Sequence, residues 1–268
     1  MLKLTIPTDP EMDESSGPAE PNARSRRSMQ VIVFSSQKGG SGKTTLCGHL
    51  AVQADLAGAG PIAVIDTDPQ GSLAQWWNAR TAETPLFMKA QVDFLHEDLD
   101  QLERSGVRYA FIDTPPAVTE TISRIVAHAD LVVVPTRPSP HDLRAVGATL
   151  DIIESQKKPL VFAVNAAAPR ARITSDTAVA LSQHGTVAPV TLFHRIDFAT
   201  SMIDGRTVME AKPECRSAEE VAALWEYVAS RLEREEAPVT RGIGVYKEIR
   251  PSGGFGRRRA VQPMAIGG

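Results

Sequence analysis

Through the middle of the chain, short and almost wholly apolar runs alternate with longer stretches whose apolar residues recur every three or four positions. The runs Val31–Ser35, Ile62–Asp66, Tyr109–Asp113, Leu131–Pro135 and Leu160–Asn165 are too short for helices, and the pattern predicts strands. Leu86–Lys89 and Val187–Phe193 are weaker strand candidates. Helical spacing covers Thr44–Ala57, Ser72–Arg80, Phe94–Ser105, Thr119–His128, His141–Gln156, Ile173–His184 and Ala218–Glu235. Ser217 and Glu220 are spaced as a capping box at the start of the last helix. Strands without a polar face must be covered on both sides, and strands alternating with helices are joined by crossovers. The pattern predicts one α/β domain over residues 30–236, a mostly parallel twisted sheet with helices on both faces. Ligands of such sheets sit beyond the carboxyl ends of the strands, so the chemistry is expected there.

The two ends break this pattern. Residues 1–29 are rich in Pro, Ser and acids, with a basic end at Arg24–Arg27, and are expected to be a disordered leader. Residues 237–268 are rich in Gly and Pro, carry Arg257–Arg259, and are expected to be a flexible basic tail. At 268 residues, 42% hydrophobic and 23% charged, the chain has a globular composition. Its apolar runs fall far short of the roughly 20 residues that span a membrane, and no apolar core of signal-peptide length opens it. A cytoplasmic protein is expected. Cys47 and Cys215 cannot make a disulfide framework, and the six histidines show no metal-ligand spacing. With a net charge of −3, any nucleic-acid binding must come from a local patch.

The first strand is followed by Ser36-Gln-Lys-Gly-Gly-Ser-Gly-Lys-Thr-Thr45 and then a helix. Glycines let successive backbone N–H groups turn inward on a phosphate, and the helix N-terminus adds the positive end of its dipole. Lys43 is placed to reach the β- and γ-phosphates, and the Thr44 hydroxyl to bind magnesium. The pattern G-x-x-x-x-G-K-[ST] is not met strictly, because its first position holds Gln37, and an extra lysine, Lys38, precedes the glycines.

Lys38-Gly-Gly-Ser-Gly-Lys-Thr44 resembles the deviant Walker A motif of the ParA/MinD group of P-loop ATPases. Asp66-Thr-Asp-Pro-Gln-Gly-Ser72 is similar to the D-x-D-P-Q signature of ParA-type proteins, and Phe111-Ile-Asp-Thr-Pro-Pro116 to their Walker B motif. The resemblance covers about residues 30–235. It implies ATP and Mg2+, bound by Lys38, Gly39, Gly40, Ser41, Gly42, Lys43, Thr44 and Thr45. In the family the deviant lysine reaches the partner's nucleotide, so Lys38 would act across an ATP-dependent homodimer holding two sandwiched nucleotides. Asp68 corresponds to the residue that orients the attacking water, and Asp113 to the one that holds magnesium through water. Asp66 could stand near the magnesium or order its loop through backbone N–H groups. Asn165 could contact adenine or be an ordinary strand-end residue.

Within this group the tail from Gly242, broken by Pro251 and several glycines, disfavours a membrane-anchoring amphipathic helix. Between Ser155 and Ser175 there is no acid but Lys157, Lys158, Arg170 and Arg172. Arg170 and Arg172, with Arg195, resemble positions where ParA relatives bind DNA without sequence preference; a solvated basic face is the plain alternative. A leader of about 30 residues is too short for an operator-reading helix-turn-helix domain, which points to the short partition ATPases. The function expected is a nucleoid-associated ATPase of the ParA type, stimulated by a ParB-like or other adaptor, that segregates DNA or positions another cargo. The alternative is a P-loop small-molecule kinase or biosynthetic ligase.

Overall fold

A computed structural model describes residues 28–116 and 119–236. The leader up to residue 27 and the tail from residue 237, with their arginines, lie outside the described residues. Seven strands make one sheet: β1 (Gln30–Phe34), β2 (Ile62–Asp66), β3 (Leu86–Lys89), β4 (Tyr109–Asp113), β5 (Leu131–Thr136), β6 (Leu160–Val164) and β7 (Thr186–Val187). Their order is β3-β2-β4-β1-β5-β6-β7, and every pairing is parallel. Nine helices are described: α1 (Lys43–Leu56), α2 (Ser72–Asn78), α3 (Leu95–Arg104), α4 (Thr119–Val126), α5 (Pro140–Ser155), α6 (Arg172–Ser182), α7 (Ile196–Ser201), α8 (Val208–Ala211) and α9 (Arg216–Glu236). Short 3-10 turns stand at Val92–Phe94 and Met202–Asp204.

Each central strand buries both faces, which is why its sequence shows no polar alternation. Ile32, Phe34, Val64 and Phe111 pack against Leu46 and Leu50 of α1, Trp76 of α2 and Leu224 and Trp225 of α9. The intervening Val31, Val33, Ile65 and Ile112 pack on the opposite face against Leu99, Ile122, Ile153 and Leu181 of α3, α4, α5 and α6. The core extends to Met29, which is fully buried.

Two expectations are corrected. The run Val187–Phe193 is not one strand: only Thr186 and Val187 pair with β6. Pro189 supplies no N–H to a ladder, and the chain resumes contact with β6 and the loop after it only at Leu192 and Phe193. Nor is the capping box at Ser217 and Glu220. Helix α9 begins at Arg216, and the Glu220 carboxylate accepts hydrogen bonds from the Phe193 N–H and from both terminal nitrogens of Arg195. A capping box does form at Thr207, whose N–H and hydroxyl both donate to Glu210 Oε2, at 2.7 and 2.9 Å.

The stretch from α7 to α8 crosses in front of α1 and is pinned to the end of α2. Gly205 has φ +77°, and a Cβ there would stand 2.2 Å from the Arg80 backbone nitrogen. Backbone cannot yield as a flexible side chain would. Gly205→Ala should therefore destabilise the protein by more than about 2 kcal/mol, from combined strain and clash. Urea unfolding checks this; a variant with wild-type stability would mean the segment does not sit on α2.

Candidate functional site: the phosphate loop and its cleft

β1 lies at the centre of the sheet, between β4 and β5, where successive connections leave in opposite directions. That switch point opens a crevice at the carboxyl edge, and the loop Ser35–Gly42 occupies it. Gly40 and Gly42 adopt φ of +74° and +100°. A Cβ on Gly42 would lie 2.2 Å from Asn165 Nδ2, so this position takes no side chain. Asn165, just beyond β6, donates from Nδ2 to the Ser41 carbonyl at 2.8 Å and so braces the loop. Among the described residues, added Cβ atoms on Gly39 and Gly40 would meet nothing within 4 Å. Gln37, where the strict motif has glycine, ties the loop to α5. Its N–H donates to Thr149 Oγ1 at 3.2 Å and its Nε2 to the Ala148 carbonyl at 3.3 Å. Lys38 is exposed at the loop tip.

Below the loop the charged groups converge. Thr44 Oγ1 donates to Asp113 Oδ2 at 2.6 Å, and Lys43 Nζ donates to the Ser36 carbonyl at 3.2 Å. Burial lowers the Lys43 pKa, against the pull of Asp113 and Asp68. Burial raises Asp113 to about 7; Asp66 and Asp68 add to this, while the Thr44 hydroxyl and Lys43 oppose it. Among the described residues, Asp113 Oδ1 and Ser41 Oγ are buried with no hydrogen-bond partner. An orphaned carboxylate oxygen beside a threonine hydroxyl, in an acid-rich setting that disfavours further negative charge, fits a magnesium ion, which takes hard oxygen ligands and retains waters. The open glycine loop with a buried ammonium beneath it fits a phosphate chain.

Asp66 is differently engaged. Its Oδ1 accepts from the Asp68 N–H at 3.0 Å and its Oδ2 from the Ala74 N–H at 2.9 Å. It thus orders the turn into α2. Asp68, nearly buried, accepts from the Gln70 N–H and borders the cleft beside Lys43 and Thr44.

The cleft has a volume of about 660 Å³. The loop glycines, Lys43, Thr44, Thr45 and Asp68 form its polar end; Trp76, Ala79, Met202 and Ile203 form the other. The role of this second wall is not evident from sequence. It is held by Arg80, whose guanidinium donates to the Gly205 carbonyl and to Glu210, at 2.6 and 2.8 Å, and lies over the Trp76 ring. Burial pushes Glu210 up, but the hydrogen bond and charge of Arg80 together with the Thr207 hydroxyl and N–H outweigh it, and the carboxyl ends below its usual range. The spacing Thr207-x-x-Glu210 is a sequence signal for part of this network; the partner Arg80 has none.

The basic residues divide. Arg170 and Arg172 follow β6, on the same sheet edge as the loop, and the Arg172 side chain is 91% exposed, at a long 3.6 Å from the Asp176 carboxylate. Arg195 instead makes a two-pronged pair with Glu220, at 2.6 and 2.7 Å, which raises its pKa and neutralises its charge. Among the described residues no helix is long and apolar enough to cross a membrane.

This sheet, loop and carboxylate arrangement define a P-loop ATPase of the ParA/MinD type. The VirC1 protein family model matches residues 29–213, and the chain belongs to that family. It is 27% identical over 203 residues to the maintenance of carboxysome distribution protein A of Halothiobacillus neapolitanus, covering 70% of this chain and 90% of that one. It is 30% identical over 135 residues to protein ParA of Rhizobium radiobacter, covering 49% and 60%. The septum site-determining protein MinD of Pyrococcus horikoshii, solved with Mg-ADP, superimposes with a TM-score of 0.65 at 15% identity, covering 78% of this chain and all of that one.

Proposed function

We propose that this chain hydrolyses ATP with magnesium, that ATP holds two copies face to face across the nucleotides, and that the paired form binds duplex DNA without sequence preference until an adaptor protein stimulates hydrolysis. The work is the positioning of DNA or another cargo in the cytoplasm, on the nucleoid. The observation that carries the reading is the convergence of Lys43, Thr44, Asp113 and Asp68 beneath an open glycine loop.

Magnesium and the triphosphate together supply an activated, charge-shielded phosphoryl group. Phosphoryl transfer depends on positioning and charge neutralisation. Lys43 binds the β- and γ-phosphates, and Thr44 and Asp113 hold the metal and its waters. Asp66 acts at one remove, by fixing the turn that carries Asp68. Asp68 orients the attacking water. Lys38, exposed at the tip of the loop, contacts the nucleotide of the second copy. The contact to the adenine base is assigned to Asn165, just beyond β6.

DNA binding is assigned to Arg170 and Arg172, and pairing of two copies doubles the number of phosphates they can neutralise. Arg195 serves the fold through Glu220. Arg172→Glu should weaken binding to any duplex by a similar factor, since phosphates carry no base identity. It should also flatten the salt dependence, by about 0.9 in log–log slope for each phosphate left without its cation, with basal hydrolysis unchanged. Fluorescence anisotropy on two unrelated duplexes across a salt series, with ATP and with ADP, is the test. Equal binding in both nucleotide states would overturn the assignment. Turnover stimulated by a metabolite, and not by DNA with an adaptor, would favour the kinase or ligase alternative.

A further inference from the structure

His49 lies at the middle of α1, fully buried, with both ring nitrogens engaged. Nδ1 is 2.8 Å from the Thr45 carbonyl, which can only accept, so Nδ1 carries the proton. Nε2 is then the acceptor for the Val208 N–H at 3.3 Å. Val208 is the first residue of α8, and an N–H there has no acceptor within its own helix. Glu210 turns back on Thr207 and leaves this donor to the imidazole. The ring also packs on Phe198 of α7, with centroids 5.2 Å apart. Burial holds the His49 pKa down at about 4, with the Thr45 bond and Glu210 opposing, so the neutral form is kept.

The consequence is geometric. Thr45 belongs to the first turn of α1 and lines the cleft beside the phosphate-binding residues. Val208 follows the stretch that carries Met202 and Ile203, which line the opposite wall. Ile203 is 79% exposed there, too little buried for its own packing to hold it. We propose that His49 is a positioning residue that locks the Met202–Ile203 wall of the cleft to the phosphate-loop helix by accepting the Val208 N–H at Nε2, with the Nδ1–H bond to Thr45 setting the neutral tautomer that leaves Nε2 free to accept. This rests on the cleft's being the nucleotide site only for its effect on ATP affinity; the lock itself is a property of the nucleotide-free protein.

Two conservative replacements separate the two bonds. Asparagine places an amide N–H at the depth of Nδ1 and keeps the bond to Thr45, but does not reach Val208. Glutamine places an oxygen at the depth of Nε2 and keeps the bond from Val208. In the full chain without nucleotide, His49→Asn should raise amide exchange across residues 202–211 at least about tenfold, with the sheet and α9 unchanged. His49→Gln should restore exchange to within about threefold of wild type. ATP affinity should follow the same order, weakening about tenfold in Asn and little in Gln. Imidazole nitrogen NMR of the wild type should show one Nδ1–H tautomer that does not titrate between pH 7.5 and 5.5. Wild-type exchange in His49→Asn, faster exchange spread evenly over the domain, or an Nε2–H tautomer would each overturn the proposal. Absence of ATP binding in the wild type, with the exchange pattern as expected, would leave the lock standing and remove the ATP reading.

Discussion

Lys43→Ala is expected to abolish ATP binding, weakening it at least about a hundredfold, while leaving the nucleotide-free protein as stable as the wild type or more so. The two halves share one cause. The Lys43 ammonium is buried against a single backbone acceptor, the Ser36 carbonyl, and burial already presses its pKa down. A charge held this way costs stability without ligand and repays it when phosphates arrive. Charge-assisted hydrogen bonds contribute roughly 1.5–3 kcal/mol each, and a phosphate chain offers such a lysine more than one. Calorimetric titration with ATP and magnesium, beside thermal unfolding without them, reads both halves. Wild-type affinity in the variant would remove the loop from nucleotide binding.

The second large effect belongs to Asp68→Ala. ATP should bind within a few-fold of wild type, because the carboxylate lies beside Lys43 and Thr44 but makes its hydrogen bond to the Gln70 N–H. Hydrolysis should fall by about a hundredfold or more, the range found when a positioned acid–base group is lost. With turnover blocked, the ATP-bound pair should persist. Size-exclusion chromatography with ATP and magnesium should show a stable dimer for the variant and a decaying one for the wild type. A monomeric variant with normal turnover would take Asp68 out of the mechanism.

Much of this site is legible in sequence because its parts are local. The glycines, Lys43 and Thr44 occupy one turn between a strand and a helix, and each carboxylate stands at or just after a strand end. The topology that brings β2, β4 and β1 side by side then assembles them. Illegible parts depend on partners far apart in the chain. Arg80 and Glu210 are 130 residues apart, and His49 and Val208 159; no spacing rule joins them. Ser217 and Glu220 show the converse, since the right local spacing lost to a distant competitor, Arg195, for the same carboxylate. Asp66 has two readings in sequence because only the fold shows that Asp68 and Ala74 present their N–H groups to it.

The central claim is that the loop and its carboxylates turn over ATP with magnesium. Phosphate release by the purified chain, measured with ATP plus magnesium and again with a chelator, tests it most directly. The expected result is slow, steady release that stops with the chelator and is absent in Lys43→Ala. No release from the wild type with magnesium, even with DNA added and ATP at millimolar concentration, would contradict it.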